Sequence, residues 1–105
     1  ENKYFMIDFE FVANNDPIYD IAAFGNNLVS EGKRLLDSYF DYAPSENEIK
    51  RYYLWRMFIS LQWSLMALIK DHNGEGKIHN IDFIGVSQFF LKNGKQAMEE
   101  FEKCK

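Results

Sequence analysis

Four carboxylates stand close together near the amino terminus: Asp8, Glu10, Asp16 and Asp20. Asp8 follows the apolar pair Met6-Ile7, and Glu10 comes two residues later. In an extended segment those two side chains point to the same side. Hard oxygen ligands on a fixed scaffold suit Mg²⁺, which takes one or two carboxylates and fills its shell with nucleotide phosphates and water. On its own, Asp-x-Glu after a strand is more often the start of a solvated loop. Asp16 precedes Pro17, the pattern of an N-cap followed by Pro at the first helical position. Asp20 lies one helical turn further on, close enough to brace the same loop, and equally placed to be an exposed helix residue.

The elements that must position these groups follow from the patterning. Lys3 to Phe11 is rich in aromatic and β-branched residues and predicts a strand, with a loop over Glu10 to Asn15. A first helix is expected from Pro17 to about Val29. Ser30 to Tyr42 carries a second helical pattern through Leu35, Leu36, Tyr39 and Phe40, and Ala43-Pro44 breaks it. Ser45-Glu46-Asn47-Glu48 is a capping box. It starts the longest helix, Glu46 to about Asp71, roughly 39 Å long. The second half of that helix is apolar nearly all round and should lie at the centre of the domain. Within it, Arg56, Ser60, Ser64, Ala67 and Asp71 form a small or polar stripe beside Trp55, Ile59, Trp63, Met66 and Lys70. His72 to Lys77 reads as a flexible turn. Ile81 to Lys103 reads as a last helix, divided at Asn93-Gly94. The expected fold is mainly α: one short strand and about four helices in a single domain over residues 1–105.

Composition narrows the function. The chain has 105 residues, a net charge of −4 and 17% aromatic content. Nucleic-acid binders carry clustered basic faces that neutralise phosphates, and no such cluster occurs here. The most apolar stretch, Leu54 to Ile69, is interrupted by Arg56, Ser60, Gln62 and Ser64 and is too short and polar to span a bilayer. The single Cys104 excludes an internal disulfide and is expected as an exposed thiol at a frayed helix end. A soluble, cytoplasmic protein with neither a nucleic-acid nor a membrane partner is expected. His72 and His79 are too few and too far apart for a metal site. No Ser-His-Asp arrangement and no Gly-rich phosphate loop can be read.

One longer string sharpens the reading. Ile7-Asp8-Phe9-Glu10-Phe11, with Asn15 and Asp20 at their offsets, resembles the signature of the choline/ethanolamine kinase family. Asn15-Asp16-Pro17-x-x-Asp20-Ile21-Ala22 also resembles the related aminoglycoside phosphotransferases. The match is dense over Met6 to Ala22 and looser downstream. The resemblance implies the helical C-terminal lobe of a protein-kinase-like fold. It implies an ATP-dependent transfer of the γ-phosphate to a small alcohol, choline or ethanolamine first. In that pattern Asp8 matches the Mg²⁺-holding Asp, whose metal bridges nucleotide phosphates. Glu10 matches a carboxylate beside the metal, and Asp20 one that supports the catalytic loop by hydrogen bonding. Asn15, with Asp16 and Pro17, matches the structural part of the motif. Trp63-Ser64-Leu65-Met66 resembles a Trp-x-x-Trp segment whose indoles cage a quaternary ammonium, a cation–π contact worth about 2 kcal/mol when desolvated. Here Met66 replaces the second Trp, Asn27 stands where the family has an acid, and Val86 where it has a Tyr. These departures count against choline itself and leave the metal motif intact. Trp63 is equally readable as a core residue.

The resemblance also implies parts that this chain does not carry. The family's catalytic loop, His-x-Asp-x-x-x-x-Asn, supplies the Asp that accepts the substrate proton. No such string occurs here. The expectation is therefore a C-terminal fragment, inactive alone, that works with the missing N-terminal lobe of the same protein, with Mg²⁺ and with ATP. Two other readings stay open. One is an aminoglycoside or other small-molecule phosphotransferase, for which Glu31, Asp37, Asp41, Glu46 and Glu48 would supply an acidic groove. The other is a non-catalytic helical interaction module.

Overall fold

The computed structural model describes residues 16–104, and these are mainly helical, with no strand among them. The predicted strand, with Asp8, Glu10 and Asn15, lies outside the described residues. Five helices follow in order: α1 (Pro17–Asn27), α2 (Val29–Tyr39), α3 (Glu46–His72), α4 (Glu75–His79) and α5 (Phe83–Lys103).

The starts of α1 and α3 obey their local chemistry. Asp16 caps α1, its Oδ1 accepting from the Ile18 amide at 3.1 Å, with Pro17 in the first turn. Ser45 caps α3, and the box is reciprocal: the Glu48 amide donates to Ser45 Oγ, and the Ser45 amide to Glu48 Oε1.

The expected boundary between the first two helices moves. α1 stops at Asn27, the chain bends at Leu28 (φ −133°, ψ 85°), and α2 begins at Val29 without a loop. The bend brings Gly25 of α1 onto Gly32 of α2, and the Tyr52 hydroxyl sits against both. A Cβ at either glycine would collide with that hydroxyl, so only glycine permits this approach. α2 ends at Tyr39, three residues short of the expected end, because Phe40 turns extended ahead of Pro44 (φ −91°, ψ 160°). Phe40 stacks on Tyr42 at 5.2 Å, and the Tyr42 hydroxyl donates to Glu48 at 3.0 Å.

Further along, the supposed flexible turn is shorter than expected. Asn73 and Gly74 alone reverse the chain, Gly74 in the left-handed region (φ 80°), and Glu75 to His79 form the short α4. α5 is not divided at Asn93-Gly94. Asn93 is buried, its amide donates to the Asn26 carbonyl of α1, and Gly94 lies against Ser60 of α3. The pair that reads as a break is a packing contact.

The core is gathered around Ile18, Ile21, Ala22, Leu36, Tyr52, Tyr53, Ile59 and Ala97. α3 is its axis, with α5 and α1 packed on it. The face of α3 turned to the core is the small and polar stripe: Arg56, Ser60, Ser64 and Ala67 are all buried. Small residues let α5 come close, and Ser64 and Ser87 share a hydroxyl hydrogen bond of 2.7 Å across the contact. The expectation that α3 is enclosed on all sides fails among the described residues. Leu54, Phe58, Leu61, Leu65 and Leu68, on its opposite face, are exposed. Cys104 is half-buried against the core cluster, its thiol donating to the Glu100 carbonyl, so the expected exposed thiol is not found.

Candidate acceptor-side site

Asp16 and Asp20 diverge in role. The Asp16 carboxylate is fully engaged: Arg51 of α3 donates to both oxygens (2.9 and 3.0 Å), Trp55 Nε1 donates to Oδ2 at 3.2 Å, and the Ile18 amide to Oδ1. Burial pushes its pKa upward, but the donation from Arg51, Ile18 and Trp55 outweighs it and holds the carboxyl below its ordinary 3.8. The group is a structural clamp between α1 and α3, with Tyr19 set edge-on to Trp55 at 5.1 Å. Asp20 is exposed on α1 and makes no side-chain hydrogen bond among the described residues. No group of three or more metal-ligating side chains occurs among the described residues.

Beneath this clamp lies a buried polar network. Arg56, 1% exposed, donates through Nε to Asn26 Oδ1 (3.1 Å), through Nη1 to Gln96 Oε1 (2.6 Å) and through Nη2 to the Asn93 carbonyl (3.0 Å). Asn26 returns a bond to the Arg56 carbonyl at 3.2 Å. The network ties α1, α3 and α5 at one level. All its acceptors are neutral. Burial lowers the Arg56 pKa, opposed by Tyr52 and Tyr53. Burial likewise raises Tyr53 to about 12, with Glu100 and Tyr52 adding to it, so it stays un-ionised. Sequence reasoning places Arg56 on the right stripe but does not find Asn26, Gln96 or Asn93 as its partners. Only the crossing of three helices brings them together.

The acceptor-side residues converge more than their spacing suggests. Trp63, Met66 and Val86 line one open groove of about 240 Å³, with Ala67, Lys70 and Phe83. Asn27 and Val86 line a second, of about 510 Å³, with Asp82, Gly85, Phe89 and Phe90. The two adjoin at Val86, and the Trp63 indole meets Phe90 edge-on at 5.1 Å between them. Trp63 is half-buried, so it is part core and part wall. Asn27 is exposed, its amide folded back to the Ala23 carbonyl at 3.5 Å. Two charged residues stand here, Lys70 from the Trp63 stripe and Asp82, which the sequence reading does not single out. Asp82 caps α5 by accepting from the Gly85 amide at 3.0 Å, and supplies a carboxylate in the groove that Asn27 leaves neutral. Lys70 stands over Phe83 at 5.8 Å and puts a positive charge on the rim of the Trp63 groove. Apolar and aromatic walls with few polar groups suit a small organic ligand.

Of the acidic residues suggested for an aminoglycoside groove, Glu31 and Asp37 line one open groove of about 480 Å³ with Phe24, Arg34, Leu35 and Ser38. Glu31 pairs with Arg34 and Asp37 with Lys33 along α2, and Glu48 is spent in the α3 cap. Comparison of the chain with protein-family models, with curated proteins and with solved structures finds no match.

Proposed function

We propose that this chain is the acceptor-side, metal-carrying part of an ATP-dependent phosphotransferase with a kinase-like fold, acting on a small alcohol such as choline or ethanolamine. The observation that carries the reading is the convergence just described. Trp63, Met66, Asn27 and Val86, singled out by resemblance alone, line two adjoining grooves although they come from three helices. The dense string over Met6 to Ala22 supports the metal half, with Asp8 and Glu10 as the Mg²⁺ ligands and Asp20 beside the catalytic loop. Mg²⁺ held there would supply positive charge to offset the charge that develops on phosphoryl transfer. The chain's own contribution is the acceptor wall. Trp63 and Phe90 offer ring faces and edges to an alkyl or ammonium group. Asp82 offers the nearby negative charge, while Lys70 repels a cation from the Phe83 end and orients it toward Asp82.

The test uses the full-length protein that contains this chain. Trp63→Ala should raise KM for the acceptor several-fold and leave KM for ATP unchanged. Lys70→Met should lower the KM of a cationic acceptor. If Trp63→Ala leaves acceptor KM unchanged, the grooves are not the acceptor site.

The interaction-module reading has one observation in its favour, the exposed apolar face of α3. That face is separate from both grooves' aromatic walls and is compatible with either function.

A further inference from the structure

Two opposite charges stand at the aromatic wall without meeting. Lys70 enters the Trp63 groove from the last turn of α3, and Asp82 enters the Asn27 groove from the start of α5. Among the described residues they are the only charged side chains that line either groove. Phe83 separates them: Lys70 Nζ stands 5.8 Å from its ring centre, and Asp82 precedes it in the chain and faces the other groove. Neither forms an ion pair among the described residues. Asp82 Oδ1 accepts from the Gly85 amide, while Oδ2 lies over Gly85, where a Cβ would collide with it. Between the two charges the surface is apolar. Val86 belongs to both grooves, and the Trp63 indole meets the Phe90 ring edge-on.

We infer that the paired grooves take a short zwitterion, with an ammonium and a carboxylate at opposite ends of an aliphatic chain. The ammonium lies in the Asn27 groove, against Asp82 and the ring of Phe90. The carboxylate lies in the Trp63 groove, on Lys70, and the chain crosses Val86. Charge complementarity selects this class. A ligand with a positive charge alone is drawn by Asp82 and repelled by Lys70. A ligand with a negative charge alone meets the reverse. A zwitterion gains at both ends, so the pair discriminates by repulsion as well as attraction. This deepens the phosphotransferase reading by naming the class of acceptor. Only the ligand's hydroxyl rests on that reading; its binding does not.

Isothermal titration of the full-length protein, without nucleotide, tests it with three probes on one skeleton. γ-Amino-β-hydroxybutyrate carries both charges, isopropanolamine lacks the carboxylate, and β-hydroxybutyrate lacks the ammonium. The zwitterion should bind several-fold more tightly than either singly charged probe. Lys70→Met keeps the aliphatic stem and removes the charge. It should weaken the zwitterion several-fold and tighten isopropanolamine. Asp82→Asn keeps a side chain that can cap α5. It should weaken the zwitterion and tighten β-hydroxybutyrate. A zwitterion that binds no better than isopropanolamine would overturn the inference. So would silence with all three probes, or a Lys70→Met change of the same sign for the zwitterion and isopropanolamine. ADP release by the same protein separates the two readings. Zwitterion binding with the expected charge effects but no ADP release would keep this site and remove the phosphotransferase. ADP release with isopropanolamine, from a protein that does not bind the zwitterion, would do the reverse.

Discussion

Asp16 is where sequence and structure weigh the same residue differently. Its place among four carboxylates makes it a candidate for chemistry, while the Asp-Pro pair makes it a cap. The Arg51 fork and the Trp55 indole decide for the cap. Replacing Asp16 with Ala should cost about 1–2 kcal/mol in urea denaturation, through the lost cap and the lost clamp. Because the folded-state pKa lies below the ordinary 3.8, the stabilisation is complete above that value. It is lost as pH falls through the folded-state pKa. The gap between wild type and Asp16→Ala should therefore close on acidification below about pH 4, and a gap that widened would refute the clamp. Arg56 calls for a larger effect. Truncation to Ala takes the donor from the buried Asn26 and Asn93 and from the half-buried Gln96, and a loss of about 3 kcal/mol or more is expected from thermal unfolding. Arg56→Lys should recover little of it, since one ammonium does not reproduce the planar fork. The Asp16 cap was legible from two adjacent residues. The Arg56 partners were not, because Asn26 and Asn93 lie 30 and 37 residues away along the chain.

At the scale of elements, the glycine contact between α1 and α2 makes a sharp prediction. Gly25→Ala should destabilise by about 1–3 kcal/mol, because the added methyl meets the Tyr52 hydroxyl. Among the described residues that hydroxyl is buried without a hydrogen-bond partner. Tyr52→Phe should thus be close to neutral alone and should rescue part of the Gly25→Ala loss in a double-mutant cycle. Strict additivity of the two would mean that the hydroxyl is not what Gly25 accommodates. The helices themselves were legible where local chemistry sets the boundary. Ser45 with Glu48, and Asp16 with Pro17, mark their starts without reference to anything distant. Asn93-Gly94 misread because a residue that is costly within an isolated helix becomes favourable when another helix must approach, as Gly25 also shows. For α3, apolarity all round signals burial, but composition does not say what covers each face.

For the whole molecule, the proposed function needs a metal string joined to an acceptor wall on a helical scaffold. Trp63 and Met66 were legible as a pair on one helix stripe. Their meeting with Val86, and the entry of Asp82, required the fold of α5 back along α3. That function requires Asp8 to hold the metal for phosphoryl transfer. The most direct measurement is ADP release by the full-length protein with Mg²⁺-ATP and, in turn, choline, ethanolamine and an aminoglycoside, for wild type and Asp8→Ala. Acceptor-dependent ADP release is expected, almost abolished by Asp8→Ala, with the thermal unfolding temperature little changed. Asp8→Ala protein that turns over at the wild-type rate, or a wild-type protein silent with every alcohol acceptor, would contradict it.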